Sequence, residues 1–403
     1  MKIFFVCYDP PSPIEAGSLR VLNSIKYLAE KHHHDITIVA FSLPGLDYGD
    51  LSKYCHVETV DIARRPGFES PRAIFSALGQ MLHPRNVFSR YPTFANLPYS
   101  TKMAQMVKRL INKNEFDIML LDTPQMMCYM NKKIPAVLLE TFAISEMAKD
   151  MYLQEKNWLK KIIRLLYFYQ TKNYAEAYRN LNARVAVSEQ QRKMVQTHCP
   201  DLDITVIPTG IDTGYLHAVE NEAESPNLII TGTMYGLRNE NTVLAFYDNI
   251  FPLIKASIPN VKLYIVGKNP GERIVNLSKD KAVIVTGFVE DLRPYLSRAW
   301  VVVAPLQEGF GMKIRVLQAM AVGKAVVATS PVGDGISVTP GENIVLADSY
   351  QDFADRVVEL LLDKELRQKI GNRARELMLD LYNWEKLTDQ LNEVFVKTAR
   401  IQK

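Results

Sequence analysis

Short apolar runs alternate with amphipathic stretches along the whole chain. In the first half, β-branched and apolar runs predict strands at residues 2–8, 35–41, 116–122, 135–140 and 183–188. Apolar positions at helical spacing predict helices at residues 17–31 and 100–113. This alternation is typical of an α/β protein.

The second half repeats this plan. Its predicted strands are residues 204–208, 227–232, 262–267, 282–287, 300–305, 325–329 and 343–347. Helices are predicted at residues 240–257 and 350–363, and a last helical stretch covers residues 373–400. Strands that alternate with helices form parallel sheets covered on both faces. We therefore predict two Rossmann-like, doubly wound domains that face each other across a cleft.

The length of 403 residues, 47% of them hydrophobic, also favours two domains. A split near Pro208 gives an N-terminal domain of residues 1–207 and a C-terminal domain of residues 208–375. The C-terminal helix, residues 376–403, is predicted to pack back on the first domain.

Cysteine usage and apolar run lengths indicate the compartment. Cys7, Cys55, Cys128 and Cys199 have no paired spacing, which fits neither a disulfide framework nor a cysteine-rich metal site. The N-terminal apolar run is too short for a signal peptide, and no run approaches the roughly 20 residues of a membrane span. We expect a cytoplasmic protein, with the inner face of the membrane as a further possibility.

The net charge of +4 hides an asymmetry, because the first half carries the excess of basic residues. Residues 156–172 form a basic amphipathic helix in which apolar and cationic side chains share a helical spacing: Trp158, Leu159, Ile162, Ile163, Leu166 and Tyr169, with Lys156, Lys160, Lys161, Arg164 and Lys172. Two interpretations stay open. The helix packs one face on its own domain, or it contacts an anionic membrane or a lipid-linked acceptor.

Several common sites are absent or poorly supported. The first strand is not followed by G-x-G-x-x-G, and the chain has no G-x-x-x-x-G-K-[ST], so dehydrogenases and P-loop enzymes fit poorly. Asp201 and Asp203 lie in a loop without supporting ligands, and residues 32–34, three histidines, close an amphipathic helix where they face its dipole. We expect no metal, no resident cofactor and no nucleic-acid partner.

Glycines end the strands of the second half. Gly232 and Gly287 each close a predicted strand, and the loop Glu308–Lys313, EGFGMK, follows another. Each loop precedes a predicted helix, so backbone N–H groups and helix N-termini point at one edge of a sheet. Such an edge holds a diphosphate well.

A resemblance to a known protein family rests on six sequence motifs: VIPTGIDTGYL, TGTMYGLRNEN, LYIVGKNP, VTGFVEDLRPYLSRA, VVVAPLQEGFGMKIRVLQAMAVGKAVVAT and LYNWEKL. In order and spacing they resemble the retaining glycosyltransferases of sequence family 4, close to the bacterial branch associated with exopolysaccharide synthesis. The match is dense from about Arg184 onward and diffuse before it. It implies a GT-B fold, with a UDP- or GDP-type sugar donor on the C-terminal domain and a glycan or lipid-linked acceptor on the N-terminal domain.

The resemblance also implies roles for individual residues. Glu308 corresponds to the first acid of the family's paired-glutamate motif, which binds hydroxyls of the donor sugar. The resemblance also places the backbone amides of Phe310, Gly311 and Met312 against the sugar and the diphosphate. The other matching positions are Arg238 for a phosphate-binding lysine, Gly232 for the tight strand end, Phe288 and Val289 beside the base, and Gly17 in the loop of the first domain that approaches the diphosphate.

Four departures from the family pattern stand beside these matches. Thr233 replaces a second phosphate-binding arginine, and the longer turn after Gly311 contains Lys313 and Arg315, which can restore that charge. Gln318 replaces the second glutamate, so an uncharged amide would read the ribose. The first-domain loop where many members place a histidine has Glu140 and Thr141 instead.

The resemblance implies retaining transfer in cell-surface polysaccharide or glycoconjugate synthesis, a reaction that needs preorganised positive charge more than a protein base. Glu308, Arg238 and Lys313 are its predicted catalytic residues. The alternative is a glycosyltransferase-like binding or partner subunit that has lost catalysis. A nucleotide-sugar epimerase is a third interpretation.

Overall fold

The structure is a computed structural model that describes residues 1–8, 10–11, 16–42, 49–61, 99–139, 144–171, 174–217, 222–234, 237–305 and 313–401. The chain divides into two compact units. The first contains Met1–Pro208 and Thr388–Lys403, and the second contains Thr209–Leu387. Each unit is an α/β body around a parallel sheet, which confirms the predicted fold class. The roles assigned to the two domains stay predictions.

The described part of the first unit contains a seven-stranded parallel sheet in the order β3-β2-β1-β4-β5-β6-β7. Its strands are β1 (Lys2–Val6), β2 (Asp35–Ser42), β3 (His56–Asp61), β4 (Ile118–Leu121), β5 (Ala136–Leu138), β6 (Ala183–Ala186) and β7 (Thr205–Val206). After Lys2, every residue of β1 is buried, as expected for a parallel strand with both faces covered.

Two strands of this sheet differ from the sequence expectation. The edge strand β3 was not predicted, because HVETVD buries only Val60. Residues 204–208 were grouped with the strands of the second half, although the predicted N-terminal domain, residues 1–207, contains most of this strand. Here β7 pairs with β6, Val185 opposite Thr205 and Ala186 opposite Val206, and so extends the first sheet.

The described helices of the first unit are α1 (Ala16–Glu30), α2 (Thr101–Lys113), α3 (Ile144–Gln154), α4 (Trp158–Thr171), α5 (Tyr174–Ala177) and α6 (Glu189–His198). In α2, the Ser100 side chain accepts a hydrogen bond from the Met103 amide at 3.2 Å and caps the helix. Met103, Val107 and Leu110 recur at helical spacing and are buried in the core beside the sheet.

The described part of the second unit contains six parallel strands in the order β10-β9-β8-β11-β12-β13. They are β8 (Asn227–Thr231), β9 (Lys262–Val266), β10 (Val283–Gly287), β11 (Val301–Ala304), β12 (Ala325–Ala328) and β13 (Val345–Leu346). The central strands β8, β11 and β12 are buried throughout. Separate hydrophobic clusters lie on this unit's sheet and helices.

The described α-helices of the second unit are α7 (Leu237–Asn249), α8 (Phe251–Ser257), α9 (Glu272–Val275), α10 (Arg293–Arg298), α11 (Ile314–Ala321), α12 (Tyr350–Leu362) and α13 (Lys364–Leu381). The sequence predicted one helix over residues 240–257. The structure divides it at Ile250, because Pro252 lacks an N–H and fits the first turn of a new helix.

The C-terminal stretch is also two helices. A break at Tyr382 and Asn383 separates α13 from α14 (Trp384–Arg400), and the Asn383 side chain accepts from the Glu385 amide at 2.8 Å. From Thr388 onward α14 belongs to the first unit. None of the helices in the described ranges combines the length and apolarity needed to cross a membrane.

Candidate active site

Three neighbouring strands of the second sheet end in glycine at one edge. Gly232 follows β8, Gly267 follows β9, and Gly287 closes β10. The Gly267 amide donates to the Gly287 carbonyl at 3.1 Å. A β-carbon at Gly267 would collide with the carbonyl oxygen of Gly232, so the backbones approach closely here. Sequence reasoning selected Gly232 and passed over Gly267, although LYIVG at the end of a predicted strand gave the signal. We call this the glycine edge.

Arg315 lies against the glycine edge. It is the second residue of α11, and its Nη1 donates to the Thr231 carbonyl oxygen at 3.2 Å. Gly232 has φ of +137°, and a β-carbon there would lie 2.6 Å from the Arg315 guanidinium carbon. The glycine is therefore required twice, for its backbone conformation and for the space that the guanidinium fills.

The charge of Arg315 is not balanced by any carboxylate in the described part of the chain. Burial lowers the pKa of Arg315 from its ordinary value, since a charged group loses water there. A partly desolvated guanidinium beside a helix N-terminus favours an anionic ligand, and its planar fork suits phosphate oxygens.

Lys313 and Gln318 lie on the same helix as Arg315. Lys313 is the N-cap residue of α11, and its carbonyl accepts from the Val316 amide at 2.8 Å. Gln318 lies in the second turn and is half-buried. Among the described residues, its side-chain amide has no hydrogen-bond partner, so both its donor and acceptor capacity remain available to a ligand.

Phe288 and Val289, predicted together beside a base, have different environments. Phe288 is 70% exposed. Val289 is partly buried and packs against a hydrophobic cluster of the second unit. Phe288 directly follows Gly287 at the glycine edge, so its ring is the member of the pair that is open to a planar ligand.

The remaining predicted residues are placed less completely. Gly17 was predicted in a loop, but α1 begins at Ala16 and Gly17 lies in its first turn. Arg238 is the second residue of α7, with its side chain outside the described part of the structure. Seven residues named from the sequence lie outside the described ranges altogether: Glu140, Thr141, Lys172, Glu308, Phe310, Gly311 and Met312. Their roles stay predictions.

A cavity of about 420 Å³ opens where α7 and α12 flank the carboxyl ends of β11 and β12. Its described lining residues are Thr242, Ala245, Phe246, Ile250, Pro305, Thr329, Asp348, Ser349, Tyr350 and Phe353. None of the predicted site residues is among them. No local pattern predicts this cavity, because two helices far apart in the sequence form it.

The histidine and aspartate clusters that resembled metal ligands contact other groups. His32 and His34 lie against α14, with His32 Nε2 3.0 Å from Asp389 Oδ1. Asp201 accepts from Arg179 Nη2 at 2.6 Å. Within the described residues, no group of three or more His, Cys, Asp or Glu side chains is arranged to hold a metal ion.

Two family models match the chain. The model for Glycosyltransferase Family 4 matches residues 18–215, and the model for glycosyl transferases group 1 matches residues 225–363. Together they cover most of the sequence in the order of the two sheets. The chain therefore belongs to the glycosyltransferases of family 4 and group 1, with a GT-B fold, which confirms the family that its motifs resemble. The retaining mechanism stays a prediction.

Curated relatives match this chain with 24% to 26% sequence identity. An uncharacterised glycosyltransferase of Methanocaldococcus jannaschii is 24% identical, over 58% of this chain and 62% of that protein. The lipopolysaccharide core biosynthesis glycosyltransferase LpsE of Rhizobium meliloti is 26% identical, over 46% and 56%. The capsular polysaccharide biosynthesis glycosyltransferase CapM of Staphylococcus aureus is 24% identical, over 53% and 62%. The chain thus matches between 56% and 62% of the length of these relatives.

Solved structures match over nearly the whole chain. HepE of Anabaena, in complex with UDP-glucose, has a TM-score of 0.68 at 14% identity, covering 98% of this chain and 100% of that one. Sucrose-phosphate synthase of Thermosynechococcus elongatus has a TM-score of 0.69 at 16% identity, covering 98% and 99%. At these identities the similarity establishes the fold alone.

Proposed function

We propose that the chain transfers a sugar from a nucleoside-diphosphate sugar to an acceptor hydroxyl, with retention of anomeric configuration. The observation that carries the proposal is the position of Arg315, a partly desolvated cation packed on Gly232 at the glycine edge. A UDP-glucose complex of HepE supports a nucleotide-sugar donor on this fold.

The diphosphate has several ligands in this proposal. Arg315 supplies the positive charge of the phosphate-binding arginine that is replaced by Thr233 in this chain. The guanidinium donors of Arg315 other than Nη1 face the phosphate oxygens. The first amides of α11 and the Lys313 side chain add positive charge at the same helix end. Arg238, at the start of α7, supplies the third cation.

The sugar and the nucleoside are held by different residues. Glu308 accepts hydrogen bonds from hydroxyls of the donor sugar, while the amides after it approach the leaving phosphate. Gln318 binds the ribose through its side-chain oxygen, and the exposed Phe288 ring covers the base.

Retention follows from the face of attack, and the leaving diphosphate also accepts the proton. The acceptor hydroxyl attacks the anomeric carbon on the face from which the diphosphate leaves, and a departing phosphate oxygen takes its proton. The developing negative charge on that diphosphate is what Arg315, Lys313 and Arg238 stabilise, so electrostatic preorganisation supplies the main catalytic effect. This step requires no protein base.

We infer an acceptor of the cell-surface glycan or lipid-linked glycoconjugate class. The support is the biosynthetic context named for LpsE and CapM, lipopolysaccharide core and capsular polysaccharide. The base of the donor is uracil or guanine in this proposal.

The test begins with a panel of UDP- and GDP-sugars and thermal denaturation, because a ligand that binds the folded state raises the melting temperature. The donor selected is then incubated with polysaccharide-type acceptors and with water, and the anomeric configuration of the product is read by NMR. An inverted product contradicts retention. Donor binding without transfer or hydrolysis favours the partner-subunit alternative, and acceptor-free conversion of the donor favours an epimerase.

A further inference from the structure

Exposed apolar side chains are concentrated in one helical hairpin of the first unit. Among the described residues, sixteen large apolar side chains are exposed, and seven of these lie between residues 147 and 169. They are Met147, Met151, Leu153, Trp158, Leu159, Ile162 and Tyr169. We call this set the apolar face.

No described segment of the chain buries this face. On α4, Ile162 and Tyr169 follow Trp158 by four and eleven positions, so the three side chains lie on one side of the helix. The opposite side packs inward, where Ile163 is buried and Tyr167 contacts the core of the first sheet. The helix is therefore apolar on two sides, and the described residues cover only one of them.

The hairpin is an ordered surface rather than a loose loop. Arg164 Nη1 donates to the Met151 carbonyl at 2.7 Å, and Arg164 Nη2 pairs with Glu155 at 3.0 Å. Lys161 lies 5.3 Å from the centre of the Tyr152 ring. These contacts join α3 to α4 across the connection at residues 155–157.

The charge beside the apolar face is positive. The lysines at positions 156 and 160 are exposed, and Lys156, Lys160 and Lys161 make no ion pair with any carboxylate that the structure describes. Of the three hairpin carboxylates, Glu155 pairs with Arg164, Glu146 lies 2.8 Å from His198, and only Asp150, which is partly exposed, has no ion pair with a described residue. Exposed lysines thus border exposed apolar side chains.

We propose that this hairpin docks the protein on the surface of an anionic lipid bilayer. Trp158 and Tyr169 have the amphipathic rings that favour the headgroup region, the aliphatic residues enter the upper acyl layer, and the lysines meet lipid phosphates. Lysine is depleted at protein–protein interfaces, which weighs against a protein partner. Since neither helix is long and apolar enough to cross the membrane, the hairpin lies on its surface.

Trp158 provides a built-in probe. The chain has three tryptophans. Trp158 is 68% exposed, whereas Trp384 is 3% exposed and the half-buried Trp300 donates to the Ala223 carbonyl at 2.8 Å. Vesicles of phosphatidylcholine mixed with phosphatidylglycerol should shift the emission to shorter wavelength, and brominated acyl chains should quench it. Phosphatidylcholine alone should do so weakly, and added salt should weaken binding.

Two kinds of variant separate the apolar and electrostatic contributions. Ile162→Glu should reduce vesicle binding more than tenfold. Lys160→Gln and Lys161→Gln should each weaken it about fivefold on anionic vesicles. The matched controls in the second unit are Leu362→Glu, where Leu362 is 72% exposed, and Lys369→Gln, also exposed; both should bind as the parent does. Circular dichroism checks that Ile162→Glu is folded, and Ile162→Ser serves as the milder variant.

Three results would overturn this proposal, and none depends on sugar transfer. The first is an absence of any anionic-lipid-dependent change in Trp158 emission. The second is a lipid-free dimer that Ile162→Glu converts to monomer, which makes the face a contact between copies. The third is free protein whose Trp158 is already inaccessible to acrylamide, which means that another segment of this chain covers the face.

Discussion

The guanidinium carbon of Arg315 lies 2.6 Å from the point where a β-carbon would stand on Gly232, a residue with φ of +137°. A side chain at this glycine therefore strains the backbone and displaces the cation. Gly341 has φ of +81° with open space around it, so it isolates the backbone effect. We expect Gly341→Ala to lower only stability, by about 1 kcal/mol.

Gly232→Ala should lower stability by about 1–3 kcal/mol and also weaken binding of the nucleoside diphosphate, because Arg315 must move. Urea unfolding and calorimetric titration measure the two effects. Parental diphosphate affinity in Gly232→Ala would show that the position of Arg315 is irrelevant to binding.

Replacing Arg315 by methionine should separate affinity from stability. Arg315→Met keeps the apolar length and removes the charge, so affinity for the nucleoside diphosphate should fall by about 1.5–3 kcal/mol, the contribution of a charged hydrogen bond. The matching nucleoside, which lacks phosphate, should bind unchanged. The free energy of unfolding should change little. Arg315 is a desolvated cation with no described carboxylate partner, so its replacement also removes the cost of burying a charge. A purely structural arginine would give the reverse result, with a lower melting temperature and parental affinity.

Substitutions of Gln318 distinguish a nucleotide site that has adapted to an amide from a site that has lost its function. If its amide reads the ribose, Gln318→Ala should weaken nucleotide binding, whereas Gln318→Glu should bind similarly or more tightly, since a carboxylate accepts from both ribose hydroxyls. Calorimetric titration of the three forms measures this. A silent alanine variant, with a parent that neither binds nor turns over any sugar nucleotide, would favour the partner subunit.

Glu308→Gln should reduce turnover far more than it lowers the melting temperature, because a carboxylate directed at the donor sugar supports little of the fold. Steady-state turnover with the selected donor, alongside thermal denaturation, provides the comparison. Full activity in this variant would remove Glu308 from the site.

The first unit should lose stability on acidification through His34. Its Nε2 lies 2.7 Å from Asn392 Oδ1, and its Nδ1 lies 3.3 Å from the Met1 amino group. Burial lowers the pKa of His34, the charges of Met1 and His32 lower it further, and the bond to Asn392 and the charge of Asp117 oppose this. Since the unfolded chain binds this proton more readily, the contribution is complete above the unfolded pKa of about 6.5 and is lost as pH falls through the lower folded pKa.

Urea unfolding of the parent and of His34→Gln, between about pH 7.5 and about pH 5, tests this linkage. The stability advantage of the parent over the variant should shrink as the pH falls. A constant difference across that range would mean that His34 does not titrate with folding.

The sequence determined the fold class and the family. A buried parallel strand such as β1 is a continuous apolar run in the sequence, and α2 has its apolar positions at helical spacing. Local patterns are therefore enough to predict these two kinds of element. Glycines at strand ends predicted the glycine edge, since the carboxyl ends of parallel strands meet at one edge. The partly exposed β3 lacks an apolar run, and local pattern therefore missed it.

Only the tertiary structure decided what depends on contacts between distant residues. It placed the two-residue strand β7 in the first sheet, because pairing with β6 rather than composition sets its membership. It packed Arg315 on Gly232 and partly buried Val289 while exposing Phe288. Helical spacing predicted that α4 is amphipathic, but only packing against the core selected its inner side and left the apolar face in solvent. Local sequence fixes which side chains share a side of a helix, whereas the remainder of the chain determines which side is covered.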